Sequence, residues 1–234
     1  MLVSLATLSL ASGSPECAGR IHSLARRACI SAPIQTLLLM RLILASQSPR
    51  RQQLMQEAGY DFEVMVASDS AEDGLCSGES ARDMVARFGK QKAGDVAARI
   101  ETGVVIGCDT VAEIHGQILG KPRDVDHAEQ MLKQLRGREH FVHSGLCVLR
   151  KSDEKADQKT TGKMLVEVAT TSLWMKDISD AEIEEYLDTD LWIGKAGGFG
   201  LQDRTGWLEV RNGSESNVVG LPMELLKRLL AEIM

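Results

Sequence analysis

From Met40 onward, short apolar blocks alternate with amphipathic stretches along the chain. Arg41–Ala45 predicts a buried strand, and Pro49–Ala58 predicts a helix stopped by Gly59. Phe62–Val66 reads as a second strand. A polar loop over 67–78 precedes a long helix near Glu79–Ile100, with Met84, Val85 and Phe88 as apolar positions. Gly103–Asp109 predicts a buried strand ending in an acid. A hairpin follows, with Val111–Ile114 and Ile118–Leu119 turning at His115-Gly116. Asp124–Arg136 predicts a helix capped by Asp124 and stopped by Gly137. His140–Arg150 and Lys163–Met175 are long strands joined by a charged turn. Ser179-Asp-Ala-Glu182 is a capping box for a helix to Leu187. A glycine-rich loop over 194–200, a strand over Trp207–Val210 and a helix from near Pro222 complete the chain. Strands and helices interleave, so the class is α/β, and the long middle hairpin makes the sheet mixed.

Composition narrows the function. The 234 residues suffice for one sizeable core. Hydrophobic residues make up 44% of the chain, so it is not a disordered tail. A net charge of -6 argues against a general nucleic-acid binder. No apolar run is long enough for a membrane helix. The five cysteines are odd in number, scattered and without Cys-x-x-Cys. That pattern fits a reducing compartment, the cytoplasm, and not a disulfide framework.

Residues 1–39 differ from the rest. They hold one acid, Glu16, against Arg20, Arg26 and Arg27. Three readings stand: a secretory signal, a transit-like or disordered tail, or a true start at Met40. The first is disfavoured because no positive charge precedes Leu2–Ala11. The chain is therefore divided into a 1–39 extension and a 40–234 domain.

Four segments carry chemistry. In Leu42-Ile-Leu-Ala-Ser-Gln-Ser-Pro-Arg-Arg51 a strand enters a tight loop and then a helix with Pro in its first turn. Ser48 is placed to cap that helix. Ser46 and Ser48 offer hydroxyls, Arg50 and Arg51 forked cations, and the helix start free N–H groups. Together they suit phosphate. In Val104-Val-Ile-Gly-Cys-Asp-Thr110 an acid ends a buried strand, where open α/β sheets place ligands. Asp109 is suited to metal binding, to general base work, or to capping the next turn. Lys121 sits between Gly120 and Pro122, and Lys92 and Lys195 are similar lone cations. Gly194–Gly200 allows close backbone approach to a flat ligand. Gln202 carries both donor and acceptor for a base edge. His140 and His143 are three apart on a strand, on opposite faces, which is not a metal-ligand pattern.

These segments together resemble the Maf family of nucleoside triphosphate pyrophosphatases. The likeness covers residues 41–230. It rests on Ala45-Ser-Gln-Ser-Pro-Arg-Arg51, Lys92-Ala93, Gly107-Cys-Asp-Thr110, Gly120-Lys-Pro122, Lys195-Ala-Gly, Gly200-Leu-Gln202 and Val218-Val-Gly-Leu-Pro222. The resemblance implies a mixed twisted sheet with two lobes about a central cleft, similar to inosine triphosphate pyrophosphatases. It implies cleavage of a nucleoside triphosphate to monophosphate and pyrophosphate with a divalent metal, Mg²⁺ or Mn²⁺. Asp109 falls on the catalytic acid. Arg51, Lys92 and Lys121 fall on phosphate-handling cations. Arg50, Thr110 and Gln202 fall on positions marking the dTTP and UTP branch. Three positions depart from the pattern: Gly194 replaces an acid, Phe199 replaces a tyrosine, and Ser70-Ala-Glu-Asp73 replaces the usual acidic stretch.

The expected mechanism follows. Ser46, Ser48, Arg50, Arg51, Lys92, Thr110, Lys121, Lys195 and Gln202 bind the nucleotide, and Asp109 with Glu72 holds the metal. Water attacks the α-phosphorus. The expected partner is the nucleotide alone, without nucleic acid or membrane, and a homodimer is the ordinary assembly. A non-catalytic nucleotide-binding regulator of cell division is the rival reading, and a house-cleaning enzyme for damaged purine nucleotides is a second.

Overall fold

The computed structural model describes residues 41–72, 78–152, 162–203 and 206–233. The 1–39 extension lies outside the described residues, as does most of the charged turn between the two long strands. Strand β1 (Leu42–Leu44) pairs in parallel with β2 (Glu63–Val64) and β3 (Gly103–Ile114). The short β4 (Gln117–Leu119) folds back antiparallel on β3. Strands β5 (Glu139–Lys151), β6 (Met164–Met175) and β7 (Leu208–Asn212) continue antiparallel. The result is one seven-stranded mixed sheet in the order β2-β1-β3-β5-β6-β7, with β4 attached to β3. The expected mixed α/β class is observed.

One sequence expectation is corrected. The strand over Gly103–Asp109 and the first arm of the hairpin are a single 12-residue strand, β3. Asp109 and Thr110 do not end it, because they stay in register with Gly145 and Ser144 of β5. The interruption lies on the other edge of β3. There β1 pairs with residues 104–106 and β4 with residues 112–114. Among the described residues, no strand pairs with 107–111 on that edge. Asp109 and Thr110 occupy this gap.

Helices α1 (Pro49–Glu57), α2 (Ala81–Ala98), α3 (Val125–Leu135), α4 (Asp180–Leu187), α5 (Glu215–Val219) and α6 (Met223–Ile233) cover the sheet. Local caps act as the sequence predicts. The Asp124 carboxylate accepts the His127 N–H at 2.8 Å, and Ser179 and Glu182 form a complete capping box. Ser48 departs from expectation. It is the residue before α1 but makes no side-chain cap bond. Its own N–H instead donates to Ser46 Oγ at 3.2 Å, so Ser46 closes the turn. The five-residue α5 carries no periodic signal long enough to predict.

Alternation along β3 divides the core. Val105 and Val111 pack on the α2 face, while Ile106, Cys108, Ala112 and Ile114 face the opposite side. On each face two hydrophobic clusters lie on either side of the level of Asp109 and Thr110. On the side opposite α2, the seam is polar: Thr110, Ser144 and Asn217 separate the cluster under α6 from the cluster under α3 and α4. A fully buried Leu or Ile contributes about 1.5–3 kcal/mol, and a typical hydrogen bond nets only about 1 kcal/mol. The clusters therefore contribute most of the stabilisation, and the seam's polar groups bond to one another.

Glycines set how closely α2 approaches this level. A Cβ on Gly145 would lie 2.1 Å from the Val85 carbonyl oxygen, and one on Gly107 would lie 2.3 Å from the Gly89 oxygen. Backbone meets backbone, and Lys92 follows Gly89 by one turn on the same helix. No helix among the described residues is long and apolar enough to cross a membrane.

Candidate active site

Three segments converge on the gap in β3. The end of β1 enters the turn at Ser46, α1 brings Arg51, and the segment after α5 brings the Gly220 carbonyl. Arg51 spans them. Its Nε donates to the Gly220 oxygen at 2.8 Å, Nη1 to Ser46 Oγ at 3.1 Å, and Nη2 to Thr110 Oγ1 at 3.2 Å. Thr110 and Ser144 share a hydrogen bond at 2.8 Å. Ser46, Arg51 and Thr110, far apart in the chain, are thus brought into one network.

Asp109 projects to the opposite face, toward α2. Its Oδ1 accepts from Lys92 Nζ at 2.7 Å. The Lys92 side chain is 7% exposed and that of Asp109 18%, so the lysine is the more buried of the two. A partly buried pair of this kind is held in one geometry, and removing either partner strands a charge.

Arg50 points elsewhere. Its Nη2 donates to the Gly194 carbonyl at 3.1 Å. Burial lowers its pKa, Arg51 adds to that effect, and Asp203 and then Tyr186 oppose it. Arg50 therefore belongs to the glycine-rich loop side of the gap. Lys195 is also committed there, in a buried ion pair with Asp203. Lys121 is exposed at the end of β4. It borders a recess of 490 Å³ with Gln117, Arg123, His127 and Gln130. Neither Asp109 nor Arg51 lines that recess. Glu72 and Gln202 lie on the short turns Asp69–Glu72 and Leu201–Asp203. Their side chains lie outside the described residues.

Sequence reasoning missed Ser144, Asn217 and the Gly220 carbonyl. The register of β3 on β5 would have shown Ser144, since it puts Thr110 opposite it. A backbone carbonyl leaves no side-chain signal.

Other chemistries are weaker. Burial pushes the Cys147 thiol up to about 12 and also raises Cys108, so neither is a thiolate nucleophile at neutral pH. His143 bonds to Thr170 Oγ1 at 2.9 Å and Glu113 Oε2 at 3.1 Å. Burial lowers its pKa, with Glu113 opposing. For a metal, the described residues hold no group of three or more His, Cys, Asp and Glu side chains. Among the described residues at the gap, Asp109 offers a partly exposed carboxylate. That fits a hard cation of the Mg²⁺ type, which takes one or two carboxylates and fills its shell with water and substrate phosphate.

A lysine-held carboxylate and an anchored guanidinium at a gap inside a mixed sheet suit a phosphate ligand in an α/β protein. Residues 41–233 match the Maf-like protein family model, and the chain belongs to that family. A protein of Rhodopirellula baltica, named dTTP/UTP pyrophosphatase, is 54% identical over 190 residues, covering 81% of this chain and 80% of its own. A protein of the same name from Dictyoglomus turgidum is 39% identical over 190 residues, covering 81% of this chain and 94% of its own. Among solved structures, a HAM1 protein from Coxiella burnetii is similar over 83% of this chain and 100% of its own. Its identity is 13% and its TM-score 0.44.

Proposed function

We propose that this chain is a nucleoside triphosphate pyrophosphatase that cleaves dTTP and UTP to the monophosphate and pyrophosphate. It clears such nucleotides, modified pyrimidine forms included, from the cytoplasmic pool, as a homodimer and without nucleic acid or membrane. The observation that carries the reading is the gap in β3. It sets a lysine-held carboxylate, Asp109, one residue from Thr110, where the Arg51 guanidinium is anchored. The substrate class follows the relatives named dTTP/UTP pyrophosphatase.

The chain's own groups divide the work. Ser46, Ser48, Arg51 and Lys121 bind the triphosphate. Lys92 holds Asp109 in place. Asp109 accepts the proton of a water that attacks the α-phosphorus; the bond to the bridging oxygen breaks, and pyrophosphate leaves. Arg50, Thr110 and Gln202 favour the pyrimidine base, and Lys195 serves them by shaping the loop through Asp203. Mg²⁺ or Mn²⁺, held by Asp109 and Glu72, would supply charge neutralisation at the phosphates. Rate enhancement then comes mainly from positioning and fixed charge.

The test is pyrophosphate release from dTTP, UTP, CTP, GTP and 7-methyl-GTP, with and without Mg²⁺ or Mn²⁺. Metal-dependent release favouring dTTP and UTP is expected. Thermal stabilisation by nucleotide without release from any would instead mark a nucleotide-binding regulator. Preference for purine nucleotides would contradict the substrate assignment.

A further inference from the structure

The glycine-rich segment 194–203 contains a buried charge pair. The Asp203 side chain is 2% exposed and that of Lys195 10%. The carboxylate accepts from the Lys195 ammonium, from the Tyr186 hydroxyl at 2.6 Å and from the Gly200 N–H at 3.0 Å. Tyr186 packs against Phe199 and Trp207, with ring centroids 5.0 and 5.4 Å apart. Within the segment, Gly194, Gly197 and Gly198 all have φ near +70°. The Gly197 N–H donates to the Gly120 carbonyl at 3.0 Å. Glycines supply no side chains of their own to fix the turn.

A buried ion pair is seldom the most stable filling for such a space; apolar residues usually do as well or better. The pair defines a shape. Its outputs are two. The Gly194 carbonyl is presented to Arg50, and Gln202 is the residue next to Asp203.

We infer that Asp203 is a positioning residue for base selection: through Lys195, Tyr186 and the Gly200 N–H, it fixes the loop on which Gln202 lies and whose Gly194 carbonyl orients Arg50. The inference rests on the pyrophosphatase reading and assigns the source of its selectivity. The Asp203 carboxylate is 2% exposed and taken up by Lys195, Tyr186 and the Gly200 N–H, so its effect is expected on KM and on the choice of base, not on the chemical step.

The experiment compares wild type with Tyr186→Phe, Asp203→Asn and the double variant Lys195→Met, Asp203→Leu. kcat and KM are measured for dTTP, UTP, CTP and GTP, and each protein's thermal transition is recorded. Tyr186→Phe is expected to fold, to raise KM for dTTP by about fivefold, the scale of one hydrogen bond, and to keep kcat within about threefold. Its preference for dTTP over CTP falls in parallel. The double variant removes both charges together and is expected to fold with larger loss of preference. If Asp203→Asn does not fold, these two variants decide. Unchanged preference in both folded variants would overturn the inference, as would a uniform loss of kcat across all four nucleotides. A wild type that releases no pyrophosphate would refute the functional reading instead. The same four proteins, compared by nucleotide-induced thermal shift, would then still judge Asp203.

Discussion

The guanidinium of Arg51 is bonded to the backbone carbonyl of Gly220, 169 residues further along the chain, at 2.8 Å. That carbonyl also accepts the Thr110 hydroxyl at 3.3 Å. The link ties the loop after β1 to the segment before α6 across the gap in β3. An arginine suits the place because its planar fork meets three acceptors at once, whereas a lysine ammonium is a compact point charge.

Arg51→Lys keeps the charge and loses the fork. Removing one aimed donor typically costs about 2.7–4 kcal/mol of transition-state stabilisation, or 10²–10³ in rate. Steady-state kinetics on dTTP should show kcat/KM falling by about a hundredfold, with the protein still folded. Kinetics like those of wild type would remove Arg51 from the site.

Gly145→Ala tests the helix approach. Its Cβ would meet the Val85 carbonyl carbon and the Ala86 nitrogen at 2.2 and 2.4 Å, and both are backbone atoms that cannot swing away. Forced overpacking costs about 1–3 kcal/mol or more. Urea unfolding should show a lower midpoint. Turnover should fall further than the folded fraction does, because α2 carries Lys92 away from Asp109. Gly94→Ala, in the same helix with nothing within 4 Å of its Cβ, should leave stability unchanged or raise it by about 0.4–1 kcal/mol.

His140 gives the protein an acid sensitivity. Burial depresses its pKa to about 4, outweighing a backbone bond involving Arg138 and the nearby Glu139 charge. Above pH 6.5 the ring is neutral in both folded and unfolded chains and does not affect stability. As pH falls from 6.5 toward 4, the unfolded chain takes up the proton and the folded one does not, so stability is lost. The loss at pH 4 is about 3 kcal/mol at most. His140→Phe should flatten this part of the stability curve measured by urea titration between pH 7 and 4.5. An unchanged slope would assign it to other groups.

Much of the fold was legible because its signals are local. The Asp124 cap and the Ser179–Glu182 box need only neighbouring residues, and both appear as expected. Asp109-Thr110 misled because polar residues look like a strand end. The structure keeps them in the ladder with β5 and places the break on the other edge of β3, which only tertiary pairing reveals. Ser48 misled for a similar reason: Ser46, two residues earlier, takes the N–H of the turn. At the site, motif order pointed to Ser46, Arg51, Thr110, Lys92 and Asp109, and the structure links these through two networks. The use of Lys195 was not legible, since its partner Asp203 matters through burial and not through residue type.

In the proposed reaction, water attacks the α-phosphorus of the nucleotide at Asp109. Hydrolysis of dTTP in H₂¹⁸O, with mass analysis of both products, tests it most directly, alongside Asp109→Asn and the double variant Lys92→Met, Asp109→Asn, which leaves no lysine unpaired. The account predicts ¹⁸O in the thymidine monophosphate, none in the pyrophosphate, and almost no turnover in either variant. Label in the pyrophosphate, or turnover like that of wild type without the Asp109 carboxylate, would contradict it.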